Sequence, residues 1–330
     1  MTDRAQSTTS GVSVASTRKV FSVLRGNPTW LLALLLFVVF SFASPHFLTA
    51  YNLGNIVAQS ALIGFLAVGL TPILVSGNID LSVGSVLGLT ACLVIGLQGQ
   101  VGLPIAILVV LGAGAGLGLV NGLIVEKIGI NSFIVTLAGM IGVRGLAFLY
   151  AGDTSLASPD FTLHDIGAYS VGPFSVISLF FLGSVAVFQW VMKRTLHGRN
   201  TYAIGGNRTA AVDAGVPVQR HVIINFILCG LMAAVAGIAI ASDLGAATPS
   251  YGKDYELWAV IAVVLGGTSL RGGKGDLLGT LAAVIALSIL RNGLNLVGVS
   301  PFFVPVIMGS ALILVLLFDR LSSNRSHTAE

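Results

Sequence analysis

The feature that most constrains this chain is a series of ten apolar runs joined by short polar connectors. They cover residues 30–43, 55–76, 81–98, 103–125, 132–151, 173–192, 221–242, 257–269, 277–291 and 302–318. Only 9% of the 330 residues are charged, against roughly 25% in an average soluble domain. So few charges cannot clothe a water-facing surface, so lipid must cover part of the fold, and backbone in lipid must satisfy its own hydrogen bonds. The pattern predicts an all-α, polytopic membrane protein of about ten transmembrane helices. Several runs fall short of the ~20 residues that a perpendicular span needs. Either these bounds are tight, or some helices are broken or half-spanning, of the kind transporters place at their binding sites.

The basic residues then set an orientation. With the N-terminus inside, all but three of the 17 Lys and Arg fall in inner segments. Lys253 lies in an outer connector, and Arg144 and Arg291 in the outer parts of helices. A miscount of one helix would scramble that bias, so ten spans with both termini inside satisfies the positive-inside rule. The net charge of +4 therefore reads as a topology signal rather than a nucleic-acid surface. A positive start and a short first run resemble a signal peptide, but Ser41-Phe42-Ala43 is a poor cleavage site and membrane sequence follows. Cys92 and Cys229 lie far apart in apolar runs, and the five histidines show no metal-ligand spacing.

A weak internal repeat is present. Asn121-Gly122-Leu123 followed by residues 129–135 resembles Asn292-Gly293-Leu294 followed by residues 298–304. The copies are five helices apart, an odd number, so helices 2–5 and 7–10 would form an inverted repeat.

The polar interruptions carry the functional signal. Gly77-Asn78-Ile79-Asp80-Leu81-Ser82 divides two apolar runs with almost no loop. One reading is a broken helix beside a solute path; the simpler one, for Asp80 alone, is a tight turn in which Asp80 caps the next helix. Arg144 sits deep in the fifth run, as a path residue, an ion-pair partner or an outer-edge residue. The ladder Gly112, Gly114, Gly116, Gly118 and Gly122 has small-xxx-small spacing and predicts close helix packing. In the basic connector 193–220, Asn207 is a good N-cap, residues 208–214 suit a short helix, Gly215 fits its C′ position and Pro217 blocks continuation. Spacing does not decide between a docking surface and a solvated loop. The stretch from Gly267 to Gly275 mimics a P-loop but fails its GxxxxGK[ST] spacing. No catalytic constellation is visible, so the chain does not itself read as an enzyme.

These interruptions also carry a family resemblance. Residues 78–85, Asn121-Gly122-Leu123, residues 133–137, Arg144-Gly145-Leu146-Ala147, Gly198-Arg199, Tyr202 to Asn207, Ala210-Ala211, residues 265–269 and Gly272-Gly273 resemble the permease subunits of bacterial ABC importers. The branch is that of the ribose, xylose, galactose and autoinducer-2 permeases, and the similarity runs from about residue 50 to 320. Branched-chain amino acid permeases carry an aromatic–Ala–His segment where this chain has Ile79-Asp80-Leu81-Ser82, which favours a sugar-like solute. Asn78 stands where the family more often has Gly, and Asp213-Ala214-Gly215 replaces a more usual Ser-Gly ending.

The resemblance implies a permease domain over residues 29–320 between cytoplasmic tails at 1–28 and 321–330, in the bacterial inner membrane. It implies a second permease chain, two cytoplasmic ATPase subunits and an extracytoplasmic solute-binding protein as partners, with no nucleic acid. ATP and Mg would reside on the ATPases and no cofactor on this chain. The ATPase-coupling loop would comprise Gly198, Arg199, Tyr202, Gly205, Gly206, Asn207, Ala210, Ala211, Asp213 and Gly215. Candidate path residues are Asn78, Asp80, Ser82, Asn121, Asn131, Thr136, Arg144 and Asn292. The rival reading is a secondary transporter or channel that needs no ATPase.

Overall fold

The computed structural model describes residues 28–300 together with 302, 303, 305–307, 309, 310 and 313. Its long helices are α1 (Pro28–Ala43), α2 (Ala50–Val75), α3 (Val83–Val101), α4 (Leu103–Leu123, continued by a π-helical turn at Ile124–Ile128) and α5 (Ser132–Ala151). A short α6 (Thr162–Ala168) leads to α7 (Val176–Arg194), then to two connector helices, α8 (Leu196–Gly206) and α9 (Arg208–Asp213). The fold continues with α10 (Val218–Leu244), α11 (Tyr255–Leu265) and α12 (Leu277–Leu296). Four two-residue strands form two clasps: β1 (Leu156–Ala157) with β4 (Ala246–Ala247), and β2 (Ser170–Val171) with β3 (Phe174–Ser175).

Among the described residues, seven helices are long and apolar enough to cross a membrane: α2, α3, α4 with its π turn, α5, α7, α10 and α12. Helix α1 is apolar but shorter, with 16 residues. The ninth expected run is not short after all, because α12 extends five residues beyond it to Leu296. The eighth is: α11 has 11 residues, about 16 Å of helix, half the ~30 Å hydrocarbon thickness. Most of the tenth expected run, and the expected tails apart from Pro28, lie outside the described residues.

Burial separates centre from periphery. The most apolar stretches of α2 and α3 are 78% and 72% buried, whereas those of α4, α5 and α7 are 22–28% buried. Helices apolar all round suit either site, since lipid and protein solvate apolar side chains alike. Helix α10 is the hub, packing on α2, α3 and above all α4. Contact between α4 and α10 follows the glycine spacing. A Cβ at Gly114 would meet the Gly230 carbonyl at 2.5 Å, one at Gly118 would overlap the Phe226 carbonyl, and one at Gly122 would meet the Ile223 Cα at 3.1 Å. Gly112 and Gly116 face open space. The ladder is thus one packing face with four-residue spacing and two bystanders. Gly118→Val should destabilise the detergent-solubilised chain by about 1–3 kcal/mol, whereas Gly116→Ala should leave its melting temperature nearly unchanged; thermal unfolding of the two variants checks this.

Candidate translocation path and coupling interface

Two non-helical segments interrupt the bundle, and side chains from α5 bond to the backbone of each. Helix α2 stops in a Schellman motif: Asn78 N–H donates to Ile73 O at 3.0 Å and Gly77 N–H to Leu74 O at 2.9 Å, with Gly77 at φ +78°. Asp80 follows, 1% exposed. It does not cap α3, as the simpler expectation had it; Ser82 occupies the N-cap position and makes no side-chain cap bond. Asp80 Oδ1 instead accepts from Ser82 N–H at 2.9 Å and Ser82 Oγ at 2.6 Å, folding the break onto itself as an Asx turn. Ser82 Oγ in turn accepts from Asn121 Nδ2 at 3.0 Å. The backbone of Ile79 is held by α5: its N–H donates to Ser132 Oγ at 3.2 Å, and its carbonyl takes the longer arm, 3.4 Å, of a Thr136 hydroxyl that also donates to Ser132 O at 2.8 Å.

Asp80, Ser82, Asn121 and Thr136 are therefore one polar group joining α3, α4 and α5, with half-buried Asn78 at its margin. Asn131 does not enter it. Its Oδ1 caps α5 by accepting from Phe133 N–H at 2.9 Å. Asn292 lies elsewhere, in a reciprocal amide pair with Asn52 at 3.0 and 2.8 Å. That pair locks α12 to α2, beside Phe47 O, to which Asn52 also donates.

The second interruption runs from β4 to α11. Ala247 pairs with Leu156 at one end of the bundle, and the chain then runs beside α3 as a series of tight turns over residues 249–254, with Gly252 packed on Gly84. Arg144 crosses from α5 to this segment and donates to the carbonyls of Pro249 and Tyr251, the latter at 2.6 Å. Arg144 therefore braces this turn-rich backbone and, among the described residues, makes no ion pair. Glu256 begins α11 nearby, buried, with Oε2 lacking a hydrogen-bond partner among the described residues.

At the opposite, basic end, α8 and α9 interlock with the membrane helices. Gly205 abuts the last carbonyl of α2 so closely that a Cβ would overlap Val75 O and crowd Gly273 N. Gly273 N–H itself donates to Val75 O at 2.9 Å. Tyr202 Oη donates to Gly275 O at 2.8 Å; burial and nearby Asp276 push this phenol up to about 12, so it stays a donor. Lys193 pairs with Asp276 at 3.2 Å. Helix α9 has the caps its sequence suggests. Asn207 Oδ1 accepts from Ala210 N–H at 2.9 Å, and Gly215, at φ +77°, takes the C′ position. The first residue of α9, Arg208, reaches the π turn of α4 and clamps Glu126 with two bonds of 3.1 and 2.7 Å. Glu126's side chain is 1% exposed and Arg208's 51%.

Burial divides the candidate coupling residues. Gly198 and Ala211 are buried, and Tyr202 and Gly205 half-buried, whereas Arg199, Gly206, Asn207, Ala210, Asp213 and Gly215 are exposed. Val212, 56% exposed on α9, joins the exposed set; the sequence reading passed over it as one more apolar residue. It also missed the Glu126 clamp, since the partners are 82 positions apart.

A histidine relay completes this end. His197 Nε2 contacts Asn225 Oδ1 at 2.8 Å, His197 Nδ1 contacts His221 Nδ1 at 2.8 Å, and His221 Nε2 contacts Asn200 Nδ2 at 2.9 Å. With the Asn200 and Asn225 amides oriented as they are, one assignment satisfies all three: His197 donates from Nε2 and accepts at Nδ1, while His221 donates from Nδ1 and accepts at Nε2. Both rings are then neutral, and burial holds His197 below the usual histidine range. Asn225 Nδ2 also reaches the Pro72 carbonyl of α2 at 3.4 Å, so the relay joins α8, α10 and α2.

Two predictions follow from this geometry. A histidine with a depressed folded pKa contributes stability that is present above its unfolded value, ~6.5, and is lost as pH falls toward the folded value. The melting temperature in detergent should therefore drop as pH falls from 7.5 to 5.5, and His197→Gln should flatten that dependence. Arg208→Met strands a buried carboxylate and should cost about 2–4 kcal/mol, less than a fully buried pair because solvent reaches Arg208. Glu126→Gln removes the charge and should cost less. Unfolding of the two variants at pH 7.5 ranks them.

Residues 52–318 match the family described as the permease component of the branched-chain amino acid transport system. The ribose import permease protein RbsC of Bacillus subtilis is 40% identical over 294 residues, covering 88% of this chain and 91% of that protein. Its Escherichia coli counterpart is 39% identical over 291 residues, covering 87% and 91%. The L-arabinose ABC transporter permease protein AraH of Azospirillum brasilense is 35% identical over 312 residues, covering 93% and 91%. No solved structure matches the chain. The chain, a multi-pass helical membrane protein whose polar breaks and connector helices are internally braced, belongs to this family of transport-system permease components.

Proposed function

We propose that this chain is the membrane-spanning subunit of an ATP-driven importer for a monosaccharide or a similar small polar solute. The observation that carries the reading is similarity over at least 87% of the chain to permeases named for ribose and arabinose import. In this reading two permease chains enclose the path, two ATPase subunits bind the basic end, and a binding protein delivers solute at the other. ATP and Mg sit on the ATPases, and this chain holds no cofactor. The basic end faces the cytoplasm, the protein resides in the bacterial inner membrane, and the tenth run completes ten spans with both termini inside. Helices α2–α5 and the second half of the bundle form the inverted repeat.

The interlocks at the basic end supply a mechanism. Helix α9 is clamped to α4 through Glu126, and α8 to α2 through Val75 and the histidine relay. A push on α9 by a closing ATPase would move α4 and α2 together rather than bend a loop. Such motion needs two states that solute and nucleotide bias differently. The break at Asp80 lies between the helices being moved.

Exposed Val212 gives the sharpest test. The chain isolated from its native membrane should carry an ATPase with it, and Val212→Asp should abolish that association while leaving the chain folded in the membrane. Retention of the ATPase by Val212→Asp, and after disruption of residues 211–215, would remove α9 as the docking element. A chain that transports alone under an ion gradient would favour the secondary-transporter reading.

A further inference from the structure

One group of polar side chains takes no part in the braces described above. Gln59 stands exposed on α2, nine residues past its first residue, Ala50, about 14 Å along the helix axis. Arg291 and Asn295 stand exposed one turn apart on α12. With Tyr255, the first residue of α11, and with Leu62 and Ile63, they line a single pocket. Among the described residues, none hydrogen-bonds or ion-pairs with the side chains of Gln59, Arg291 or Asn295. The Asn52–Asn292 pair places the pocket toward the end of the bundle away from the basic connectors.

Lipid does not account for this group. Arg291, five residues from the end of α12, has the length to snorkel to an interface. Gln59 is too short to do so from its depth, and an amide turned to hydrocarbon leaves its donors and acceptors unsatisfied. A concave site with convergent polar groups and an aromatic ring is the usual form of a small-molecule pocket. Its chemistry narrows the ligand. No carboxylate lines it and Arg291 is itself positive, so it disfavours a cation. A guanidinium fork gives several donors, and the amides of Gln59 and Asn295 each donate and accept. The phenol ring of Tyr255 adds an apolar face with a polar tip. Together these suit vicinal hydroxyls above a C–H face.

We infer that Gln59, Tyr255, Arg291 and Asn295 form a subsite, at the mouth of the path remote from the basic end, that binds a neutral polyhydroxylated solute. The inference rests on the import reading above and assigns it residues that neither the sequence motifs nor the braced breaks include. It also explains why α11 is only half a span. Its N-terminus and Tyr255 lie at the level of the pocket because the turns at residues 249–254, not helix, precede it.

Cysteine accessibility tests it, since the native Cys92 and Cys229 are buried and give little background. Gln59→Cys and Asn295→Cys would be placed singly in the full chain, in membranes carrying the complete importer. A charged, water-soluble thiol reagent would be applied with and without D-ribose, D-galactose, L-arabinose or D-glucuronate. Both cysteines should label, and at least one neutral sugar should slow labelling several-fold. Arg291→Met should raise the KM for uptake of that sugar about tenfold, equivalent to one lost hydrogen-bonding group, with uptake recovering at high sugar and the amount of chain in the membrane unchanged. Arg291→Lys should fall between. ATP-dependent uptake in the same membranes scores the import reading separately. Uptake with cysteines that do not label, or label without protection, overturns the subsite alone. Protection by glucuronate and by no neutral sugar overturns its ligand class. Uptake of none of the sugars overturns the import reading and the subsite with it.

Discussion

Backbone inside a bilayer has no water to bond with, and that constraint organises this protein around its two non-helical segments. Each recruits side chains from α5. Ser132 and Thr136 hold the amide and carbonyl of Ile79, and Arg144 holds the carbonyls of Pro249 and Tyr251. A helix that is 28% buried over its most apolar stretch thus carries the polar backing for both breaks. Without such backing, unwound chain at membrane depth would leave groups unsatisfied at several kcal/mol each. With it, the chain keeps irregular backbone inside an otherwise helical bundle.

Close backbone approach is the second organising device. At the α4–α10 seam and again where Gly205 meets Val75 and Gly273, a missing Cβ brings main chains together. In lipid, where apolar burial drives association weakly, such contacts add van der Waals packing that larger residues would prevent. The Gly205 contact joins α8, the end of α2 and the loop before α12, so it ties a connector to the bundle. Charge reinforces the same end: the Glu126–Arg208 clamp and the Lys193–Asp276 pair lie at water-accessible depth, where ion pairs cost less to form than in hydrocarbon.

What was legible in the sequence was local. The caps of α9, read from Asn207, Gly215 and Pro217, are found as expected, because capping depends on residues within one turn. The glycine ladder was read as packing, but spacing could not say which rungs face a partner. Asp80 was misjudged for a similar reason. Its preference for capping is a local propensity, and a side chain two residues ahead of Ser82 closed an Asx turn instead, with Asn121 completing the contact from 39 positions away. Arg144 was flagged as a buried charge, yet its partners are carbonyls, which every residue has and no composition reveals.

Hydropathy and basic-residue placement by themselves determined that the chain is a multi-pass helical membrane protein, because lipid admits so few backbone arrangements. They also located its polar interruptions, since a polar residue in an apolar run is conspicuous. Only the tertiary structure decided how those interruptions are used. Asn292 became a staple to Asn52, Arg144 a brace, Glu126 an anchor for α9, and Gln59, Arg291 and Asn295 an open polar group. Each role depends on which helix stands opposite, and that is settled by long-range packing rather than by neighbours along the chain.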